Sequence, residues 1–358
     1  SLSQLFDALI NVSSLSLNPT PAGVTRDGYG WVEYVENEPL NSREQLQTYY
    51  DRAGLFAWMA TLLGSTDLHY ENLIATTAGP VVVDAETAIS TLTGQTGHPS
   101  ADAELKSWVL NQTVFKTGLV PLIGSNAQPD MSGFGATQPE RMKRLQLRWV
   151  DAKMDSVDIR YDRPRTSPDH NYPRFCGDPV PPWLFADELT AGFRRAQETT
   201  QEHMETVRDA ATTAFAGTEL RTVIRRSRSY RTLLDTLSNP KYLRDAVTHE
   251  QKLTETLWND WSNCRLVDRD IARSEVIAAE RDRLLNRDIP RFTVHSDERS
   301  LCLAGETVVE NALKRTPIES LRRRIERLCN WQLQRQRDLL SLAVSNAGVP
   351  SSYDEEQS

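Results

Sequence analysis

SREQLQTYYDRAGLFAWMATLLGSTDLHYENLIATTAGPVVVDAE, residues 42–86, reads as a long helix, a polar loop and a hairpin in direct succession. Ser42 stands before Glu44 and Gln45, an N-cap signal, because a serine hydroxyl accepts from the unpaired N–H groups of a first helical turn. Gly64 is a fitting stop, so a helix is predicted from Ser42 to Leu63. Its second half, LFAWMATLL, is apolar almost all round, which places it inside a core. The polar run STDLHYEN follows, and then two short apolar runs, NLIATT and PVVVD, separated by a Gly-Pro turn signal. Asp84 stands at the exit of the second predicted strand.

On the N-terminal side, Leu2, Leu5, Phe6, Leu9 and Ile10 recur at helical spacing, so residues 2–12 read as a short amphipathic helix. Residues 13–28, rich in Ser, Pro, Gly and Asn, read as a loop, and GWVEYVE (30–36) as a strand. The chain opens inside an amphipathic pattern without an initiator Met, and it is expected to be a fragment of a longer polypeptide. No basic segment precedes an apolar core there, so no signal peptide is expected. On the C-terminal side, residues 90–180 look loop-rich, with apolar patches VFKTGLVPLI and LQLRWV. Helical patterns are strong near 185–216, 228–258, 266–286 and 316–345, and SSYDEEQS reads as a frayed polar tail.

Composition excludes several classes of function. The chain has 358 residues, 39% hydrophobic and 25% charged, enough for a sizeable core and, at roughly 100–200 residues per domain, for about two domains. No apolar run approaches the roughly 18 residues of a membrane span, so no transmembrane segment is expected. The 41 basic and 49 acidic residues leave a net charge of -8, which argues against a nucleic-acid partner held by bulk positive charge. The four cysteines form no CxxC and pair with no histidine at ligand spacing, so no structural zinc site is expected. They are also too sparse for a disulfide scaffold, which suits a reducing, cytoplasmic compartment.

One local cluster points to chemistry: Asp67, His69 and Asn72 in the loop, with Asp84 and Glu86 after the hairpin. Asp67 and Asn72 are five apart, and Asp84 follows Asn72 by twelve. Phosphotransferases of the protein-kinase-like superfamily use this spacing. A loop Asp accepts the proton of the attacking hydroxyl, while an Asn and a later Asp hold Mg²⁺ on the ATP phosphates. A hard cation that keeps several waters needs only such a small oxygen set. A hairpin would bring Asn72 and Asp84 side by side. The order Asp-x-His-x-x-Asn resembles the loops of lipid-kinase-like and aminoglycoside-kinase-like enzymes rather than the His-Arg-Asp order of protein kinases. Each residue taken alone reads more readily as a turn or cap residue; the joint spacing favours the site.

Weaker signals remain. MSGFG (131–135) reads as a turn. Arg221, Arg225, Arg226 and Arg228 form a basic stretch that is either a solvated face or a set of planar forks suited to phosphate. His98, His170, His203, His249 and His295 are scattered and read as structural or exposed.

DGYGWVEYV (27–35), YYDRAGLFAWMATLLGSTDLHYENLIA (49–75) and GPVVVDAET (79–87) together resemble the dehydratase domain of class II lanthipeptide synthetases, the LanM-type enzymes. FKTGLVP (115–121) is similar to that family's R-T-G-L-L-P segment, and NYPRFCG (171–177) to its N-x-P-x-x-G. RTVIRRSRSYRTLL (221–234) resembles R-x-x-x-R-x-T-x-x-Y-x-x-L-L, and RDIPRFTV (287–294) resembles G-D-I-P-x-F. The string of matches covers about residues 1–345.

The resemblance implies an α+β, mostly helical, lipid-kinase-like large lobe with a small β-containing remnant of the N-lobe. Residues 1–40 would be that remnant and the hinge, 41–350 the C-lobe with helical additions, and 351–358 a disordered tail. It implies phosphorylation of Ser and Thr in a ribosomal precursor peptide (a leader plus a Ser/Thr/Cys-rich core) by ATP and Mg²⁺, followed by elimination of phosphate to dehydroalanine or dehydrobutyrine. Carried over by position, Asp67 is the catalytic Asp with His69 beside it, Asn72 and Asp84 hold Mg²⁺, and Glu86 supports the site. Arg221 matches the elimination arginine. Ser227 falls where the family has threonine, a departure that keeps the hydroxyl. The family's upstream Tyr-Lys-Pro-Arg strand has no match here, and the zinc-dependent cyclase domain of the full-length parent is not found in this stretch. Two other readings stay open: a phosphotransferase that stops at phosphorylation, and a non-catalytic peptide-binding fragment.

Overall fold

The structure, a computed structural model, describes residues 17, 19–27, 29–89, 101–122, 129–142, 145–151, 153–264, 272–328 and 330–346. It mixes helix and strand, with helix predominating. Contacts divide the chain into two compact units, one of Ser1–Ala85, Trp108–Val207 and Leu328–Ser358, the other of Glu86–Ser107 and Arg208–Arg327. The predicted helix 2–12 and the polar tail lie outside the described residues.

The first unit is built on the helix Arg43–Leu63, with the ends that the sequence predicts. The Ser42 hydroxyl accepts from the Gln45 N–H at 3.2 Å, and the Gln45 amide oxygen accepts from the Asn41 N–H at 2.6 Å. Gly64 takes the left-handed conformation (φ 69°), and the Ser65 N–H turns back onto the Ala60 carbonyl at 2.9 Å. Every residue from Ala53 to Leu63 is buried. The helix Ala186–Glu202 lies directly against it, because two glycines let the backbones touch. A Cβ at Gly54 would sit 1.9 Å from the Leu189 carbonyl oxygen, and one at Gly192 would sit 1.9 Å from that of Asp51. Trp58 packs edge-on against Phe193 and donates its indole N–H to the Thr200 hydroxyl at 2.9 Å. Arg195 grips both carboxylate oxygens of Asp51. The helix Asn330–Asn346 joins this pair where the Gln197 side chain accepts from Arg337 Nε at 2.5 Å and donates to the Leu333 carbonyl.

The predicted hairpin is present as Leu73–Thr76 paired with Gly79–Val82, but its turn is Thr77–Ala78 and not Gly79-Pro80. The Thr76 hydroxyl makes this turn: it accepts from the Ala78 N–H and donates to the Gly79 carbonyl. Pro80 lies opposite Ala75, which turns both backbone groups away from the hairpin, its N–H to the His170 carbonyl at 2.6 Å and its carbonyl to the Glu38 N–H at 3.3 Å, so the proline's missing donor leaves no acceptor unpaired there.

Three other sequence readings need correction. The loop expected over 13–28 contains the strand Gly23–Arg26, which pairs with Tyr29–Val32 as an exposed hairpin. The expected loop-rich section 90–180 contains the helix Ala101–Gln112 and the hairpin Gln146–Val150 with Asp158–Asp162. That helix leaves Leu105 and Leu110 exposed, so its apolar residues form no clear stripe. The predominantly helical C-terminal half also holds a four-stranded antiparallel sheet, ordered Glu306–Val309, Leu301–Leu303, Phe292–His295, Glu219–Arg221. Its strands have three or four residues, too few for alternation to register.

That sheet belongs to the second unit. Phe292, Val294 and Leu301 form one core there with Leu253 and Leu257 of helix Ala246–Asn259 and Val276 of helix Arg273–Leu285, all at most 1% exposed. Among the described residues no helix is long and apolar enough to cross a membrane.

Candidate active site

In the first unit the loop between helix and hairpin is shaped by its own side chains. Asp67 holds φ at 66°, a left-handed conformation that non-glycine residues adopt at a cost and that gathers at functional sites. Asn72 secures it: its amide donates to the Asp67 carbonyl at 2.8 Å across the five-residue spacing seen in the sequence. His69 Nδ1 accepts from the Glu71 N–H at 3.2 Å. In the neutral imidazole the proton is therefore on Nε2, which stands 3.7 Å from Asp67 Oδ1. His69 thus orients toward the Asp67 carboxylate without being hydrogen-bonded to it.

Asp84 reaches the same end of the molecule through the hairpin register. Leu73 pairs with Val82, and the ladder continues one step further, with the Val83 N–H on the Asn72 carbonyl at 3.0 Å. Asn72 and Val83 are thus cross-strand neighbours, and Asp84 is the next residue. Asp67 and Asp84 are exposed, while Asn72 is half-buried with its Nδ2 committed to Asp67.

Distant segments clamp this loop, and they are the short motifs whose purpose the sequence alone left open. The Leu68 N–H donates to the Thr117 carbonyl of FKTGLVP at 2.9 Å. The Tyr70 N–H reaches the Met131 carbonyl, and His69 bridges to Ser132, both in MSGFG. MSGFG is a turn, as predicted, and it is packed hard against the loop. A Cβ at Gly133 would lie 2.6 Å from the Leu68 carbonyl oxygen and 2.4 Å from Leu73 Cδ1. Asn171 of NYPRFCG, 1% exposed, locks that turn by donating to the Gly133 and Ala136 carbonyls at 2.9 and 2.8 Å. Asp130 at the turn's start accepts from the Ser132 N–H at 2.8 Å, and burial pushes its carboxyl above the usual range. No single one of these residue types marks a site; their shared target becomes visible only in three dimensions.

The remaining candidates lie in the second unit. Glu86 pairs with Arg221, which ends the strand Glu219–Arg221. Ser227 is the exposed first residue of the helix Ser227–Leu237. For Arg225 both readings of the basic stretch, solvated face and available phosphate fork, are overturned. Its guanidinium is 1% exposed, with Nε on Glu280 at 2.7 Å, Nη1 on the carboxylate and carbonyl of Asp260, and Nη2 on the Leu257 carbonyl. Tyr230 donates its hydroxyl to the same Glu280 oxygen at 2.6 Å. Burial raises the Glu280 carboxyl against the opposing pull of Arg225 and Tyr230. Arg226 and Arg228 are exposed.

Among the described residues, no three His, Cys, Asp or Glu side chains are grouped to hold a metal. A magnesium ion carried on nucleotide phosphates does not need such a cage; one or two protein oxygens suffice. The oxygen-rich pair Asn72 and Asp84 fits that requirement, since the Asn72 amide nitrogen is the end tied to Asp67. Among the described residues, Cys176, Cys264 and Cys302 form no disulfide.

Comparison with known proteins bears on this geometry. The family described as "Domain of unknown function (DUF4135)" matches residues 1–295. The chain is similar to the "Lacticin 481/lactococcin biosynthesis protein LcnDR2" of Lactococcus lactis subsp. lactis, at 24% identity over 326 residues, 89% of this chain and 33% of that protein. The chain therefore spans about a third of the length of this relative.

Proposed function

This chain belongs to the DUF4135 family, and from that premise we propose that it is the dehydratase part of a LanM-type lanthipeptide synthetase with a lipid-kinase-like fold. The substrate is a ribosomal precursor peptide, whose Ser and Thr hydroxyls are phosphorylated from ATP; removal of the Cα proton and cleavage of the Cβ–O bond then release phosphate and leave dehydroalanine or dehydrobutyrine. The observation that supports this best is the self-secured loop: Asp67 in a left-handed backbone, tied by Asn72, with Asp84 delivered beside Asn72 by the hairpin.

In this reading Asp67 accepts the proton of the attacking hydroxyl, with His69 beside it in the loop. Asn72 and Asp84 hold Mg²⁺, which when bound neutralises charge on the ATP phosphates. Arg221 meets the phosphate that departs in the second step, Ser227 offers a hydroxyl near it in sequence, and Glu86 sets the position of Arg221. Phosphorylation first is chemically reasonable. Hydroxide leaves poorly because its conjugate acid, water, has a pKa of about 15.7, whereas phosphate is a much weaker base and leaves far more easily. The cyclase domain and the cytoplasmic setting of the full-length parent belong to the same proposal.

A phosphotransferase that stops at the phosphopeptide is the second reading. It is favoured by the Arg221–Glu86 pair, which already neutralises the guanidinium, and by Ser227 in place of threonine. The test is mass spectrometry on the full-length parent with its precursor peptide, ATP and Mg²⁺. A loss of one water per modified residue is expected; a stable gain of phosphate would select the second reading, and an unchanged mass would refute both. Asp84→Asn is expected to abolish phosphorylation, and Arg221→Met to leave phosphopeptide stranded. Dehydrated product at the parent rate from Arg221→Met would remove that residue from the mechanism.

A further inference from the structure

A groove of about 490 Å³ in the second unit lies around the start of the helix Pro317–Glu326. Five cations line it: Arg299, Lys314, Arg315, Arg322 and Arg323. Among the described residues none of the five pairs with a carboxylate. Arg299 donates to the Asn311 side chain at 2.5 Å and Arg322 to the Thr212 hydroxyl at 3.2 Å. Both acids of the lining are engaged elsewhere. Glu319 accepts from the Thr316 N–H at 3.0 Å in a capping box, and Glu326 stands 3.9 Å from Arg208.

The result is an excess of positive charge, five cations against the two carboxylates of the lining, on a chain whose net charge is -8. What sets these cations apart is their grouping in one groove, which directs a field at an external anion. The cations come from three places, the segment before Leu301, the segment before Pro317 and the helix face, so they are spread along a groove rather than converged on one point. That distribution suits several separated negative charges better than a single phosphate. The lining contains no aromatic ring on which a base could stack, which disfavours single-stranded nucleic acid.

We infer that this groove binds an acidic polypeptide segment, one carrying several Asp or Glu side chains in extended or irregular form. The binding is independent of the phosphoryl chemistry proposed above, so a chain inert toward ATP would still show it.

Fluorescence anisotropy on the full chain tests the inference with a labelled Glu/Asp-rich decapeptide and a Gln/Asn decapeptide of the same length. The acidic peptide is expected to bind and to weaken with added salt, because exposed charges are screened over about 8 Å at physiological ionic strength. The R315E/R323E double variant, with an unchanged circular dichroism spectrum, is expected to bind about tenfold or more weakly. If the double variant does not fold, Arg323→Gln alone, on an exposed position, is expected to weaken binding about threefold. Equal binding of the two peptides, no binding of either, or parent-like affinity in the folded variants would overturn the inference. So would displacement of the acidic peptide by inorganic phosphate beyond that given by chloride of equal ionic strength, since it would assign the groove to a phosphate ion.

Discussion

Gly192→Ala perturbs the contact on which the first unit is built. The new methyl carbon would start 1.9 Å from the Asp51 carbonyl oxygen, and ordinary contact begins at 3.4 Å, so the two helices must part by about 1.5 Å locally. Both neighbours are backbone, and no side-chain rotation relieves the clash. Overpacking of this kind costs about 1–3 kcal/mol. Parting the helices also loosens the Trp58–Phe193 contact and the Trp58–Thr200 hydrogen bond, the latter contributing about 1 kcal/mol. Alanine recovers about 1 kcal/mol of helix propensity over glycine. The expected net loss is about 1–3 kcal/mol, read from urea unfolding followed by near-ultraviolet circular dichroism. Glu198→Ala, on an exposed position of the same helix, is the control and is expected to stay within about 0.5 kcal/mol of the parent. A Gly192→Ala protein as stable as that control would refute backbone contact between these helices. Because the helix Arg43–Leu63 runs into the Asp67 loop, the same variant is expected to lose phosphorylation at temperatures where it is still folded.

Gly133→Ala drives a methyl group to 2.6 Å from the Leu68 carbonyl oxygen, so it is expected to lower phosphorylation well before it lowers thermal stability; parallel losses would count against a specific role for the clamp. Asp130→Asn tests the buried carboxyl of the same turn. A folded-state value raised above 3.8 means that the group's contribution is fully present below that value and is lost as pH rises through the folded value. The asparagine keeps an acceptor for the Ser132 N–H and carries no charge, so it is expected to exceed the parent in stability at pH 7 and to match it at about pH 3. In the second unit, Glu280→Ala leaves the Arg225 guanidinium buried and short of a partner, a loss of about 3–5 kcal/mol, whereas Tyr230→Phe removes one hydrogen bond to a charged group, about 1.5–3 kcal/mol. The reverse ranking in urea unfolding would show that Glu280 is not held as described.

Local chemistry that acts within a few residues was legible in the sequence. Ser42 and Gly64 bound the central helix because a hydroxyl acceptor and a left-handed glycine solve end problems that every helix has. The apolar run Leu55–Leu63 announced burial on all sides, and the two short apolar runs NLIATT and PVVVD announced the hairpin, though not its turn. The family resemblance was legible for a related reason: its motifs are short stretches with strict local demands, and the family match over residues 1–295 bears it out.

What depended on partners far along the chain was not legible. Nothing in RTVIRRSR distinguishes Arg225 from Arg226, yet one is buried against Glu280, 55 positions away, and the other is exposed. MSGFG looked like any glycine turn until Leu68 and Asn171 closed on it. The short strands of the second unit carry too few residues to display a period, and their sheet exists because Phe292, Val294 and Leu301 share a core with two helices. A sequence determines directly what each residue must satisfy with its neighbours, whereas the choice among distant partners is made by the packing that excludes water from all of them at once.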